Sequence, residues 1–382
     1  MRRICCFLVL VWVLPCMVLP SAATELEVAG KSGVLMDVAT GTVLYESNAH
    51  EPLAPASVTK VMTMLLIMEA VDSGKIALTD MVTASEAAAA KGGSQIYLKA
   101  GETMSVHDML KSIAVSSAND CACAMAEHIA GSEAAFVDSM NQRAKELGMQ
   151  DTHFVNCTGL DDDDAAKQHR TSAYDIALMS RELLKNHPLI KKYTTIWMDT
   201  VRNGAFGLSN TNKLIRFYPG ATGLKTGFTS GAGYCLSASA QREGMELIAV
   251  VMGAKTSKER NAACKELLDY GFANFAVISP ELSEVPGVPV KLGKQETVSA
   301  TLGEATGLLI DKAQKSSVTT QVTLEDRVTA PVTRGQQLGT LSIKSGEQTL
   351  RQIPLVAAEG VERLTTGDLF VRVLRKAAMA KS

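Results

Sequence analysis

The chain carries no surplus of positive charge. Its 38 lysines and arginines stand against 40 aspartates and glutamates, a net charge of -2. That balance leaves nothing basic enough to hold nucleic acid, the last turns of the chain apart. Disulfide-forming cysteine is also short. Of eight cysteines, Cys5, Cys6 and Cys16 fall in an N-terminal apolar run, and Cys121, Cys123, Cys157, Cys235 and Cys264 remain. An odd, scattered set argues against a disulfide framework, so these read as small buried residues. No two of the six histidines have zincin spacing, which gives a metalloprotease no support. The serine singled out below is not in a G-x-S-x-G elbow, which disfavours an α/β-hydrolase.

What is present begins with an export signal. Arg2 and Arg3 precede an apolar stretch from Ile4 to Pro20, then Ser21-Ala22-Ala23. This reads as a secretory signal peptide, residues 1–23, cleaved after Ala23. A retained membrane helix is the rival; the span is short for one and holds Pro15 and Pro20. Loss of the leader's two arginines moves the net charge from -2 to about -4.

Three short strings then occur in order at wide spacing: Ser57-Val58-Thr59-Lys60, Ser117-Ala118-Asn119 and Lys225-Thr226-Gly227. A serine hydroxyl is a weak nucleophile and needs an adjacent base. Residues three apart on a helix share a face, so Lys60 can lie beside Ser57. Pro55 suits a helix start, and the apolar run Val58–Val71 reads as a buried helix. Ser57 then sits at the positive end of the helix dipole. Lys60 is a base only if its amine is neutral; burial and a second cation, for which Lys225 is the candidate, both lower a lysine pKa. Lys225-Thr226-Gly227 lies between Pro219-Gly220-Ala221-Thr222-Gly223 and Gly231-Ala232-Gly233. A strand lying against a substrate backbone needs such turns and a side-chain-free Gly227. A lone S-x-x-K is expected about once by chance in a chain of this length; the ordered triple carries the reading.

This set resembles the S-x-x-K, S-x-N and K-T-G signature of penicillin-binding proteins and serine β-lactamases. The surrounding text is closer still to the D-alanyl-D-alanine carboxypeptidases, the low-molecular-mass penicillin-binding proteins. It resembles them at residues 55–63, at Ser117-Ala118-Asn119-Asp120, at residues 223–229, at Thr171-Ser172-Ala173-Tyr174-Asp175 and at Val250-Val251-Met252-Gly253-Ala254. The resemblance implies roles. Ser57 is acylated by a peptidoglycan pentapeptide stem ending in D-Ala-D-Ala, and water frees the shortened peptide. Lys60 takes the serine proton, Ser117 relays one to the leaving amine, and Asn119 holds Lys60 and the substrate amide. Lys225 and Thr226 bind the terminal carboxylate. The oxyanion sits between the N–H groups of Ser57 and Phe228. β-Lactam antibiotics acylate the same serine. No cofactor and no metal is implied.

The fold class expected is α/β in the α+β sense, a penicillin-binding-protein or serine β-lactamase-like fold. An antiparallel sheet flanked by helices meets an all-helical lobe, with Ser57 at the junction. The catalytic domain is expected over residues 24–277. Gly33–Glu46 reads as a hairpin turning at Ala39-Thr40-Gly41. Helices are expected at Val106–Ala114, Asp120–Ala130, Glu133–Leu147 and Ala173–Lys185, and strands at Lys225, Tyr234–Ala240 and Leu247–Met252. Thr256 and Glu259 read as a capping box. Pro280, Pro286 and Pro289 mark a linker into a small β-rich domain, residues 278–362, where Val318–Leu324 alternates at period two. Residues 363–382 read as an amphipathic helix capped by Thr365 and Asp368. Leu369, Phe370, Val373, Leu374 and Ala377 form its apolar face, with Arg372, Arg375, Lys376 and Lys381 beside it. That pattern suits the surface of an anionic membrane, or packing on its own domain. The protein is therefore expected outside the bacterial cytoplasm, on the membrane face.

Two other functions stay open on sequence alone. A β-lactamase needs a carboxylate to activate the deacylating water, and Glu182 lies in the right interval, though mid-helix. A non-catalytic wall-binding protein is the third. Asp161-Asp162-Asp163-Asp164 reads as a solvated loop.

Overall fold

Strands with near-continuous apolar runs build the centre of the molecule. In the computed structural model, which describes residues 26–162, 164–279, 282, 285–304 and 307–379, a five-stranded sheet runs in the order Val43–Ser47, Ser32–Asp37, Met245–Ala254, Gly233–Arg242, Ala221–Thr229. Every pairing in it is antiparallel. The proposed signal peptide lies outside the described residues.

Both faces of the sheet are covered, so its strands are apolar on both sides. Val34, Met36, Ile248, Val250 and Met252 enter one core; Leu35, Leu247, Ala249 and Val251, one residue out of phase, enter the other. The second core is closed by the helix Ser257–Asn274, whose N-cap Thr256 accepts from Glu259 N. The first core extends into the helical lobe: Lys60–Asp72, Val106–Ser116, Asn119–Ala130, Glu133–Glu146 and Ala173–Asn186. The four later helices match the expected ones within two residues.

The first helix departs from expectation in a way that matters. The α-helix begins at Lys60, not Val58, and Ala56–Thr59 form a 3-10 turn ahead of it. Ser57 therefore lies on the tighter turn and Lys60 on the first residue of the α-helix that follows it, three positions on, with the two side chains 3.0 Å apart. Ala56 opens the turn at φ 48°, in the left-handed region. Two short antiparallel ladders, Met81–Thr83 with Thr103–Ser105 and Met198–Val201 with Phe206–Ser209, carry too little alternation to be read in advance.

Beyond residue 285 the chain is β-rich. A four-stranded sheet orders Ala300–Leu302, Gln348–Ala357, Gln337–Ser345 and Val318–Leu324, beside a three-stranded one around Val288–Lys291. The strand Phe275–Ile278 continues from the Ser257–Asn274 helix and pairs with Leu308–Asp311. The C-terminal helix spans Thr366–Met379, and Thr365 and Asp368 form the expected reciprocal cap. Leu369 is partly exposed and Phe370 and Val371 are open to solvent, while Arg372 pairs with Glu296. The side chains of Val373, Leu374, Arg375, Lys376 and Ala377, and all of Lys381, lie outside the described residues.

Gly159 marks the closest approach in the fold. Its φ is 80°, and a Cβ there would stand 1.8 Å from Ala56 O and 2.7 Å from Thr59 Oγ1. No side chain fits against that backbone. Gly159→Ala is expected to push away the Ala56–Thr59 turn, lowering Ser57 acylation at least tenfold and the melting temperature by several degrees; unchanged acylation by a fluorescent penicillin would refute this placement.

Candidate active site

The turn that carries Ser57 is held by a short polar chain. Val155 N donates to His169 Nδ1, which leaves Nε2 protonated and directed at Thr59 Oγ1, 2.7 Å away. Thr59 Oγ1 donates in turn to Ala56 O at 2.8 Å. Burial pushes the His169 pKa down to about 4, so the ring is neutral at ordinary pH. No spacing in the sequence marks this histidine.

Lys60 is fully buried, with Nζ 3.0 Å from Ser57 Oγ and 2.8 Å from Thr158 O. Burial lowers its pKa to about 7, against weaker opposing fields from Cys157 and Asp120. Lys225 is buried too, and the repulsion between the two amines falls on it. Burial, Lys60 and Arg260 together hold Lys225 well below the lysine range. Of the two causes expected from sequence, dehydration is the one that lowers Lys60, while the field between the two amines acts on Lys225. Arg260, buried in the first turn of the Ser257–Asn274 helix, was not anticipated. Among the described residues neither Lys225 nor Arg260 has a carboxylate partner: Lys225 donates to a backbone carbonyl and Arg260 to the Asn261 amide oxygen.

The second string forms the opposite wall. Ser117 ends the Val106–Ser116 helix at φ 63°, another left-handed corner. Its Oγ is buried with no hydrogen-bond partner among the described residues, and so is Asn119 Oδ1. Asn119 Nδ2 donates to Gly92 O at 2.7 Å and its N–H to Ser94 O at 2.7 Å. The expected contact from Asn119 to Lys60 is replaced by the Thr158 carbonyl. Asp120, next in sequence, accepts from the N–H groups of Ile96 and Leu98 at 3.1 and 3.0 Å. A buried carboxylate with three backbone donors, Cys121 N included, pins the 94–98 loop to the site. The general run of the helix gave no sign of either role.

The third string lies on the edge strand Ala221–Thr229. A Cβ on Gly227 would fall 2.6 Å from Pro55 O and 3.0 Å from Ser57 N, so strand and nucleophile turn touch backbone to backbone. Lys225 Nζ donates to Thr226 O at 2.7 Å, and Thr226 Oγ1 to Thr211 Oγ1 at 2.6 Å. Phe228 is 54% exposed and stacks on Tyr234 with centroids 4.2 Å apart. The eight residues expected from sequence thus lie on a turn and the helix that continues it, at the junction of two further helices, and on one edge strand.

The chain matches the model of the D-alanyl-D-alanine carboxypeptidase family, Peptidase_S11, over residues 19–256. It belongs to that family. A second model, the C-terminal domain of penicillin-binding protein 5, matches residues 283–363. Among relatives, the D-alanyl-D-alanine carboxypeptidase DacF of Bacillus subtilis is 46% identical over 346 residues, covering 89% of this chain and 88% of that one. The DacC enzyme of Escherichia coli is 36% identical over 360 residues, covering 91% and 87%. Among solved structures, penicillin-binding protein 5 of Haemophilus influenzae superposes with a TM-score of 0.74 at 31% identity, covering 89% of this chain and 99% of that one. Penicillin-binding protein D2 of Listeria monocytogenes in its ampicillin-bound form gives 0.59 at 33% identity, covering 65% and 99%.

Among the described residues all five cysteines are free and buried. Glu69, Glu182 and His187 approach one another closely, but Arg143 spans both carboxylates at 2.7 and 2.6 Å.

The titration of Lys60 has two consequences. Acylation by a β-lactam should rise with pH through about 7 and level off above it. The unfolded chain keeps the Lys60 proton up to its ordinary 10.5 while the fold releases it near 7, so stability should rise with pH across that window. Lys60→Met should flatten that slope in urea unfolding at pH 7 and 9.5; an identical slope in both proteins would contradict the assignment.

Proposed function

We propose that this protein is a serine-type D-Ala-D-Ala carboxypeptidase that trims peptidoglycan stem peptides through an acyl-enzyme on Ser57. The observation that carries it is the buried, deprotonatable Lys60 amine 3.0 Å from the Ser57 hydroxyl. Neutral Lys60 takes the hydroxyl proton as Oγ bonds to the carbonyl carbon of the penultimate D-alanine. The oxyanion so formed is assigned to the N–H groups of Ser57 and Phe228, each such donor contributing about 3 kcal/mol. Collapse breaks the C–N bond; the proton passes from Lys60 through Ser117 Oγ, which has no other partner, to the leaving amine. Asn119 Oδ1, equally unpartnered, accepts the substrate amide. Water then attacks the ester, with Lys60 again as base.

The carboxylate end is assigned to Lys225 and Thr226. Arg260 is a buried cation with no carboxylate partner among the described residues, and Lys225, held well below the lysine range in the free protein, gains a reason to take up a proton when the terminal carboxylate of the substrate arrives beside it. A β-lactam carries a carboxylate and a reactive carbonyl at similar spacing and acylates the same oxygen. The β-lactamase alternative finds no support: Glu182 is held by Arg143 at 2.6 Å and by Asn186 at 2.9 Å and activates no water at Ser57.

The same reading places the enzyme outside the cytoplasm, where its substrate is. It assigns residues 24–277 to catalysis and 278–362 to a spacer. The helix from residue 363 onward is assigned to the membrane surface, on the strength of its exposed Phe370 and Val371. No helix among the described residues is long and apolar enough to cross a membrane.

Mass spectrometry after penicillin treatment tests the nucleophile. One adduct on the peptide containing Ser57, absent from Ser57→Ala, is expected, with D-alanine release from a diacyl-Lys-D-Ala-D-Ala peptide lost in the same variant. An adduct on another residue would overturn the scheme.

A further inference from the structure

The acidic run after Leu160 is not a remote solvated loop. Gly159 lies against the Ser57 turn. A Cβ on Gly93 would stand 2.8 Å from Asn119 Nδ2 and 3.1 Å from a Leu160 methyl. Asp161 comes next, and its Oδ2 would lie 3.2 Å from a Cβ on Gly231, at the tip of the hairpin that carries Lys225 to Phe228. Residues 159–161 thus run from the nucleophile turn, past the wall bearing Asn119, to the end of the substrate strand.

That strand orders the substrate. Its carboxylate belongs at Lys225 and Thr226, and its reacting carbonyl at Gly227, where the strand meets Ser57. The acyl arm therefore continues past Phe228 and Thr229, and two residues of strand advance it about 7 Å. This brings the residue before the two D-alanines to the lip formed by Gly231 and Asp161. Ser117 Oγ and Asn119 Oδ1, buried and without a partner among the described residues, are free to bond a ligand that enters beside them. Asp161 is exposed and has no hydrogen-bond or ion-pair partner among the described residues. Its neighbour Asp164 differs: Lys167 holds it at 2.6 Å. Asp162 faces another way, lining a 250 Å³ cavity with Lys91 and Glu133.

We propose that Asp161 selects stem peptides whose residue before the D-alanines carries a free primary amine, which is cationic at neutral pH and pairs with this carboxylate. The proposal rests on the carboxypeptidase reading and names the substrate class within it. An exposed pair of this kind is weak and screened by salt, so the effect is one of preference rather than of all-or-none activity.

The experiment compares kcat/KM for acetyl-Lys-D-Ala-D-Ala, whose ε-amine is free, with the Nε-acetylated peptide, in 20 mM and 500 mM salt. The wild type is expected to favour the free amine about threefold to fivefold at low salt and less at high salt. Asp161→Asn should remove the preference by slowing only the cationic peptide, and Asp161→Lys should invert it. Penicillin labelling of Ser57 should stay stoichiometric in both. Equal preference in wild type and Asp161→Asn overturns the proposal while leaving the carboxypeptidase intact. Hydrolysis of neither peptide by the wild type overturns the carboxypeptidase reading and this proposal with it.

Discussion

The chemistry of this protein depends on keeping one amine dry. Among the described residues Lys60 has no carboxylate partner; its Nζ meets the Ser57 hydroxyl and the Thr158 carbonyl, and the fields of Cys157 and Asp120 are outweighed by burial. A lysine taken fully out of water without a counter-ion gives up its proton far below its usual pKa. The base is therefore a product of packing. Val61, Met62, Met64 and Leu65 follow it into the core, and Gly159 seals the turn in front of it without leaving room for a methyl group.

Local strain sits where the reacting groups are aimed. Ala56 and Ser117 are both non-glycine residues in the left-handed region, one preceding the nucleophile and the other bearing the assigned proton relay. Such conformations cost about 1 kcal/mol or more each and persist only when surrounding structure enforces them. Here the enforcers are visible. His169 and Thr59 brace the Ala56 carbonyl, while Asp120 and Asn119 tie the end of the second string to the 92–98 loop. The same bracing leaves Ser117 Oγ and Asn119 Oδ1 unsatisfied in the free protein, stabilisation that substrate can recover.

Much of this was legible in the chain. The turn at Ala39-Thr40-Gly41 marks the first hairpin, and apolar periodicity locates the helices from Val106 to Asn186 to within two positions. The nucleophile and base follow from a spacing of three. What escaped has no local signal. The 3-10 turn at Ala56–Thr59 arises from packing against Gly159 and Gly227, which are distant in sequence. Thr158 acts through its carbonyl, which any residue possesses. His169 and Arg260 matter through burial, and burial belongs to the fold rather than to the residue. Asp161 looked like ordinary loop acidity because the hairpin tip it faces comes seventy residues later.

One titration bears most directly on the whole account. In protein labelled with [¹³Cε]lysine, the resonance absent from Lys60→Arg identifies Lys60 and can be followed against pH. An inflection at about 7 is expected, the value at which a buried amine becomes the base for Ser57. An inflection above 10 would mean that Lys60 stays charged beside the serine, and the proton transfer on which the mechanism turns would be refuted.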